Sequence, residues 1–100
     1  MVTVGLFVPL QAMPGKEAEV ESFLESGQAL AEEEPQTTAW FALRMGSGMY
    51  AIADFFPDEE GRKAHVTGAI AEALMARAPD LFEGAPEIME CDVIAAKLPG

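Results

Sequence analysis

The stretch TTAWFALRMGSGMYAIADFFPDEEGRKAH, from Thr37 to His65, decides how this chain is read. Between Thr37 and Met45 the residues are β-branched, aromatic or aliphatic, the types that suit a pleated, half-buried surface. Side chains alternate across a strand, so Trp40, Ala42 and Arg44 share one face and Phe41, Leu43 and Met45 the other. Gly46-Ser47-Gly48 breaks the run, and glycine reaches the positive φ that a short hairpin connection requires. Met49 to Phe56 is the return strand, with Tyr50, Ile52, Asp54 and Phe56 on one face. Pro57 stops it, Asp58 is placed as an N-cap, and Glu59 and Glu60 suit the positive end of a helix dipole. Trp40, Arg44, Tyr50, Asp54 and His65, the groups most suited to handling a small molecule, all fall here.

Outward from this hairpin the chain supplies support. Val2, Val4, Leu6, Val8 and Leu10 lie on one face of a first strand, with Thr3, Gly5, Phe7 and Pro9 on the other. Both faces are largely apolar, which predicts cover on both sides, and Pro9 argues for an edge or a bulge. Met13-Pro14-Gly15-Lys16 is a turn into a helix with Val20, Phe23, Leu24, Gly27, Leu30 and Ala31 at helical spacing. Gly27 costs about 1 kcal/mol in a helix interior and marks close packing or a bend. Glu32-Glu33-Glu34 opposes the dipole at the far end, and Pro35 closes the helix.

Beyond the hairpin a helix is expected from about Asp58 to Val66, then a break at Thr67-Gly68. A second helical segment places Ile70, Leu74 and either Met75 or Ala78 on one face, with Pro79 as its end. Asp80 to Ala85 reads as a loop or short turn with Leu81 and Phe82 tucked inward, and Ile88 to Lys97 as the last strand. The order β-α-β-β-α-β predicts an α+β, ferredoxin-like fold with one antiparallel sheet.

One hundred residues make a single domain, 1–100. A chain of this size buries roughly two thirds of its unfolded surface. With 50% hydrophobic residues and a mean hydropathy of +0.14, an apolar patch is expected to remain, covered by a second copy of the chain. The net charge of −11 repels phosphate backbones and anionic membranes, which excludes nucleic acid as a natural partner. That charge keeps an apolar dimer in solution or serves as a binding device. Cys91 is the only cysteine, so no internal disulfide forms and a cytoplasmic location is expected. MVTVGLFVPL has no basic n-region or cleavage site, and no apolar run approaches the roughly 20 residues of a membrane helix.

Several stretches together resemble the antibiotic biosynthesis monooxygenase domain family: PGKEAEVESFL at Pro14 to Leu24, EPQTTAW at Glu34 to Trp40, FPDEEGRKAH at Phe56 to His65 and VIAAKLP at Val93 to Pro99. The resemblance implies a four-stranded antiparallel sheet with helices on one face, and two such sheets joined as a dimeric α/β barrel. It implies oxidation of an electron-rich aromatic such as an anthrone, a quinol or another phenol, without metal or flavin. It matches His65, Trp40, Arg44 and Asp54 to positions where the family commonly has such residues; the candidate catalytic residues are then His65, Arg44 and Asp54, and the candidate substrate-binding residues Trp40, Tyr50 and Phe56. Phe56 stands where the family often has tryptophan. A haem-degrading sister branch uses an asparagine on the first strand, and this chain has none.

Each of these residues also has a plainer reading. His65 has an unperturbed pKa near neutrality, as a proton-transfer group needs, or it caps a carbonyl or packs against the hairpin. Trp40 stacks on a substrate or fills the core. Arg44 holds a substrate oxyanion while Asp54 orients a donor, or the two form a cross-strand ion pair. Tyr50 donates its hydroxyl or packs. One histidine and one cysteine make a poor start for a metal site, and Cys91 reads as a small core residue. The methionines at 45, 49, 75 and 89 line an adaptable pocket or fill space. Set against the enzyme is a non-catalytic homodimer of the same fold that binds a small apolar ligand or serves as a structural module.

Overall fold

In the computed structural model of the chain, which describes residues 1–99, the hairpin forms as expected. Strands β2 (Ala39–Arg44) and β3 (Met49–Phe56) pair antiparallel from Ala39↔Phe55 to Arg44↔Tyr50. Gly46 and Gly48 take φ values of 117° and 73° in the turn, which only glycine adopts without strain. Met45 N–H donates to the Met49 carbonyl at 2.8 Å and closes it.

The other elements are β1 (Val4–Gln11), α1 (Glu17–Glu32), α2 (Glu59–Val66), α3 (Ala69–Leu81) and β4 (Met89–Asp92). The antiparallel sheet runs β2-β3-β1-β4, the ferredoxin-like order, with the second helical stretch split at Thr67-Gly68. Register places Leu6, Val8 and Leu10 beside Asp54, Ile52 and Tyr50 on the face that carries the helices. From α1, Val20, Leu24, Gly27 and Ala31 are buried; from α3, Ile70, Leu74, Ala78 and Leu81. Ala78 rather than Met75 joins that stripe, and Met75 is exposed.

Pro9 sits where β1 is locally an edge, as expected: β4 pairs only over Val4 to Phe7, so Pro9 needs no donor on that side. Two expectations are corrected. Helix α3 runs past Pro79 to Leu81. Proline removes one hydrogen bond, but Leu81 and Phe82 are buried at 0% and 2% exposure, and the Phe82 N–H still donates to Ala78, so packing holds the last turn. The last strand is short, Met89–Asp92 rather than Ile88 to Lys97, because β1 offers a pairing edge only at its first four residues.

Asp58 caps α2 as its position suggests, accepting from the Gly61 N–H at 2.9 Å. Asp58→Ala should cost about 1 kcal/mol in chemical denaturation, and Asp58→Asn much less, since both native and Asn side chains cap well.

The face without helices is apolar. Phe7, Phe41, Leu43, Ala51, Phe55 and Met89 all project from it, and Phe41, Leu43 and Met89 are 49%, 40% and 43% exposed. Cys91 is half-buried on that same face rather than in the core. No helix among the described residues is long and apolar enough to cross a membrane.

Candidate functional site

His65 sits one residue from the end of α2, where the helix turns it back onto the sheet. Its Nε2 lies 2.9 Å from Asp54 Oδ2 on β3, and its Nδ1 lies 2.6 Å from Glu34 Oε1 just past α1. Asp54 and His65 are 1% and 7% exposed. Two carboxylates can both be satisfied only if the imidazole donates from both nitrogens, which is the imidazolium form. Burial pushes the His65 pKa down, but the hydrogen bonds and charges of Asp54 and then Glu34 outweigh it and hold the value above its ordinary 6.5. Glu34 Oε1 also accepts from the Thr37 hydroxyl at 2.7 Å. The acid that seemed misplaced at the negative end of α1 is therefore the second partner of the histidine.

An apolar cavity of about 60 Å³ is lined by Asp54 and His65. Leu6, Val8, Leu24 and Ile52 form its floor, Gly27, Ile70 and Leu74 its helical wall, and Trp40 one side. Trp40 is opposite Asp54 in the β2–β3 register. Its indole can approach α1 because position 27 is glycine: a Cβ there would lie 3.1 Å from Cζ2. Phe56 is fully buried and packs against the His65 ring with centroids 5.2 Å apart, behind the imidazole; it lines neither this cavity nor the larger cleft.

Arg44 and Asp54 are not partners, which corrects the cross-strand pair: Asp54 faces Trp40 and Arg44 faces Tyr50, four register positions apart. Arg44 reaches across to α1 instead, donating to Glu21 from Nη2 at 2.8 Å and Nε at 3.2 Å, and Tyr50 donates its hydroxyl to Glu21 at 2.7 Å. The Arg44 and then Tyr50 hydrogen bonds hold the Glu21 carboxyl below its usual range. The Tyr50 phenol is raised because its proton is held by that carboxylate. These three residues line an open cleft of about 370 Å³, bounded also by Gln28, Phe41 and the other side of Trp40. The structure thus divides the candidate residues into an inner group, Asp54 and His65, and an outer group, Arg44 and Tyr50, with Trp40 on both cavities. The methionines at 45, 49, 75 and 89 line neither.

Sequence reasoning missed Glu21, Glu34 and Arg62. The first two are hidden among the solvated glutamates of α1, and only the dipole-opposed run at Glu32 to Glu34 marked one of them. Arg62 is buried and donates to the carbonyls of Gly5 and Cys91, each at 3.2 Å, tying α2 to the β1–β4 pair. No cluster of metal-ligating side chains occurs among the described residues.

No family model and no curated protein matches the sequence. Solved structures do. A provisionally named antibiotic biosynthesis monooxygenase from Caulobacter crescentus is 23% identical, with a TM-score of 0.80 over 94% of this chain and 92% of its own. Another so named, from Chloroflexus aurantiacus, is 18% identical with a TM-score of 0.75 over 98% and 99%. The fold of this chain is therefore the antibiotic biosynthesis monooxygenase fold. A protein of unknown function from Nitrosomonas europaea is 48% identical, with a TM-score of 0.96 over 100% of this chain and 97% of its own. This chain belongs to the same family as that protein.

Proposed function

We propose that this chain is a cofactor-independent monooxygenase that works as a homodimer on a small electron-rich aromatic, a quinol, an anthrone or another phenol. One observation carries the reading: Asp54 and His65 are buried on the wall of an otherwise apolar cavity, with the half-buried Glu34 behind the imidazole. Burying the Asp54–His65 pair is expensive, and a stable fold has cheaper ways to fill that space. Proton transfer in a dry pocket uses such a group well.

With the imidazole protonated, the trio carries one net negative charge and can accept one proton. Asp54 is the member whose second oxygen, Oδ1, has no partner. It takes the hydroxyl proton of the phenol, or of the enol form of an anthrone. The resulting anion passes an electron to dioxygen, the two radicals join as a peroxide, and the O–O bond breaks as the second carbon-bound hydrogen leaves as a proton. For an anthrone the balance is R₂CH₂ + O₂ → R₂C=O + H₂O. The trio returns its proton to the departing oxygen. Arg44 and Tyr50, in the outer cleft, are placed to hold the far end of a longer substrate, with Trp40 stacked on its ring.

The apolar sheet face supports the dimer, since exposed aromatic and methionine side chains across one face mark an interface. A second reading, a small-ligand binder without catalysis, is favoured by the engagement of both His65 nitrogens. Oxygen uptake with anthrone and substituted hydroquinones, after metal chelation, separates them. The enzyme requires uptake above background that His65→Gln and Asp54→Asn abolish while circular dichroism stays native. Uptake equal to background, or unchanged in both variants, refutes it.

A further inference from the structure

Trp40 and Asp54 are directly opposed residues on the helix-bearing face of the sheet, and each keeps one buried polar atom without a protein partner. On Trp40 it is the indole Nε1, a donor only; on Asp54 it is Oδ1, an acceptor when ionised. The third such atom among the described residues, Arg62 Nε, belongs to a side chain that lines neither cavity. Both residues line the inner cavity, and buried polar groups are nearly always paired, so this unmatched donor and acceptor call for a shared partner. Directly opposed residues hold their Cβ atoms about 5 Å apart, close enough for one group to meet both side chains.

We propose that Trp40 Nε1 and Asp54 Oδ1 form a hydroxyl-recognition site, in which a ligand O–H donates to Asp54 and its oxygen accepts from Trp40. This rests on the reading of the inner cavity as the ligand site and adds what that site selects. Neither a carbonyl, which cannot donate, nor an ammonium, which cannot accept, satisfies both atoms; a phenol or alcohol does. Size points the same way. A cavity of about 150 Å³ is what benzene occupies in an engineered core. The 60 Å³ here is too small for a ring and ample for a hydroxyl. The hydrocarbon part of the ligand extends outward along Trp40, which also walls the outer cleft of Arg44 and Tyr50. Gly27 has a part in this selection. The indole edge next to Nε1 lies over the missing Cβ, so the glycine holds the ring in the orientation that the site uses.

The test is anaerobic binding of phenol and of toluene, matched in shape and differing in the hydroxyl. Trp40 is the only tryptophan, so its emission reports the titration, and calorimetry covers variants that lack it. Phenol should bind at least tenfold more tightly than toluene. Trp40→Phe, which removes the N–H and keeps most of the ring, should reduce that preference to below threefold, as should Asp54→Leu. Gly27→Ala, which displaces the indole without deleting a polar group, should weaken phenol and spare toluene. Equal affinities overturn the proposal, as does a preference that survives Trp40→Phe. Absence of saturable phenol binding also overturns it and leaves a structural water as the occupant. A hydroxyl preference without oxygen uptake would leave this site standing and remove the monooxygenase; uptake without the preference would do the reverse.

Discussion

Replacing His65 with alanine should destabilise the fold by about 3–5 kcal/mol in chemical denaturation, because it leaves the Asp54 carboxylate buried, and Glu34 half-buried, without their shared cation. The loss falls on three elements at once. Glu34 ends the connection from α1, Asp54 belongs to β3 and His65 to α2, so the imidazolium ties the helical layer to the sheet. Its pH dependence has a definite sign. The folded pKa of His65 lies above the unfolded value of 6.5, so the folded state holds the extra proton between the two. The contribution is therefore full below about pH 6.5 and is lost as pH rises through the raised value. Unfolding followed between pH 6 and 9, below the range where Tyr50 titrates, should show stability falling with pH in the native protein and a flatter profile in His65→Gln. A native profile that rises across this window, or an identical slope in the variant, would show that the trio is not held by an imidazolium.

A Phe41→Glu, Met89→Glu double variant should be monomeric, with half the native mass in light scattering. Both residues lie on the helix-free face, on strands at opposite edges of the sheet, and both are more than 40% exposed. In a dimer formed through this face each glutamate would be buried without a partner, and four such charges would exceed what an interface of ordinary size supplies. Far-ultraviolet circular dichroism should be unchanged, since neither side chain belongs to the core. The native chain should scatter as about twice 10.7 kDa. A native mass of one chain at micromolar concentration would refute the dimer.

Much of the architecture was readable from local signals. The hairpin followed from alternation on either side of Gly46-Ser47-Gly48, and the α2 cap from Asp58 after Pro57, because each depends on neighbours within a few residues. Pro79 misled, since its cost is local while the burial of Leu81 and Phe82 that offsets it comes from the rest of the fold. The candidate residues were found as a set but not as a geometry. His65, Asp54 and Trp40 were singled out, yet which carboxylate each cation meets depends on register and on helix placement, and Arg44 went to Glu21 rather than to Asp54.

By itself, then, the chain determined its elements, their order and the apolar excess, because periodicity, turn chemistry and composition act over short spans. Only the tertiary structure decided that Glu34, thirty-one residues before His65, would share its proton, and that Gly27 would make room for Trp40. Those contacts join elements distant in sequence, and their energies depend on burial, which no single segment possesses before the sheet and helices close over it.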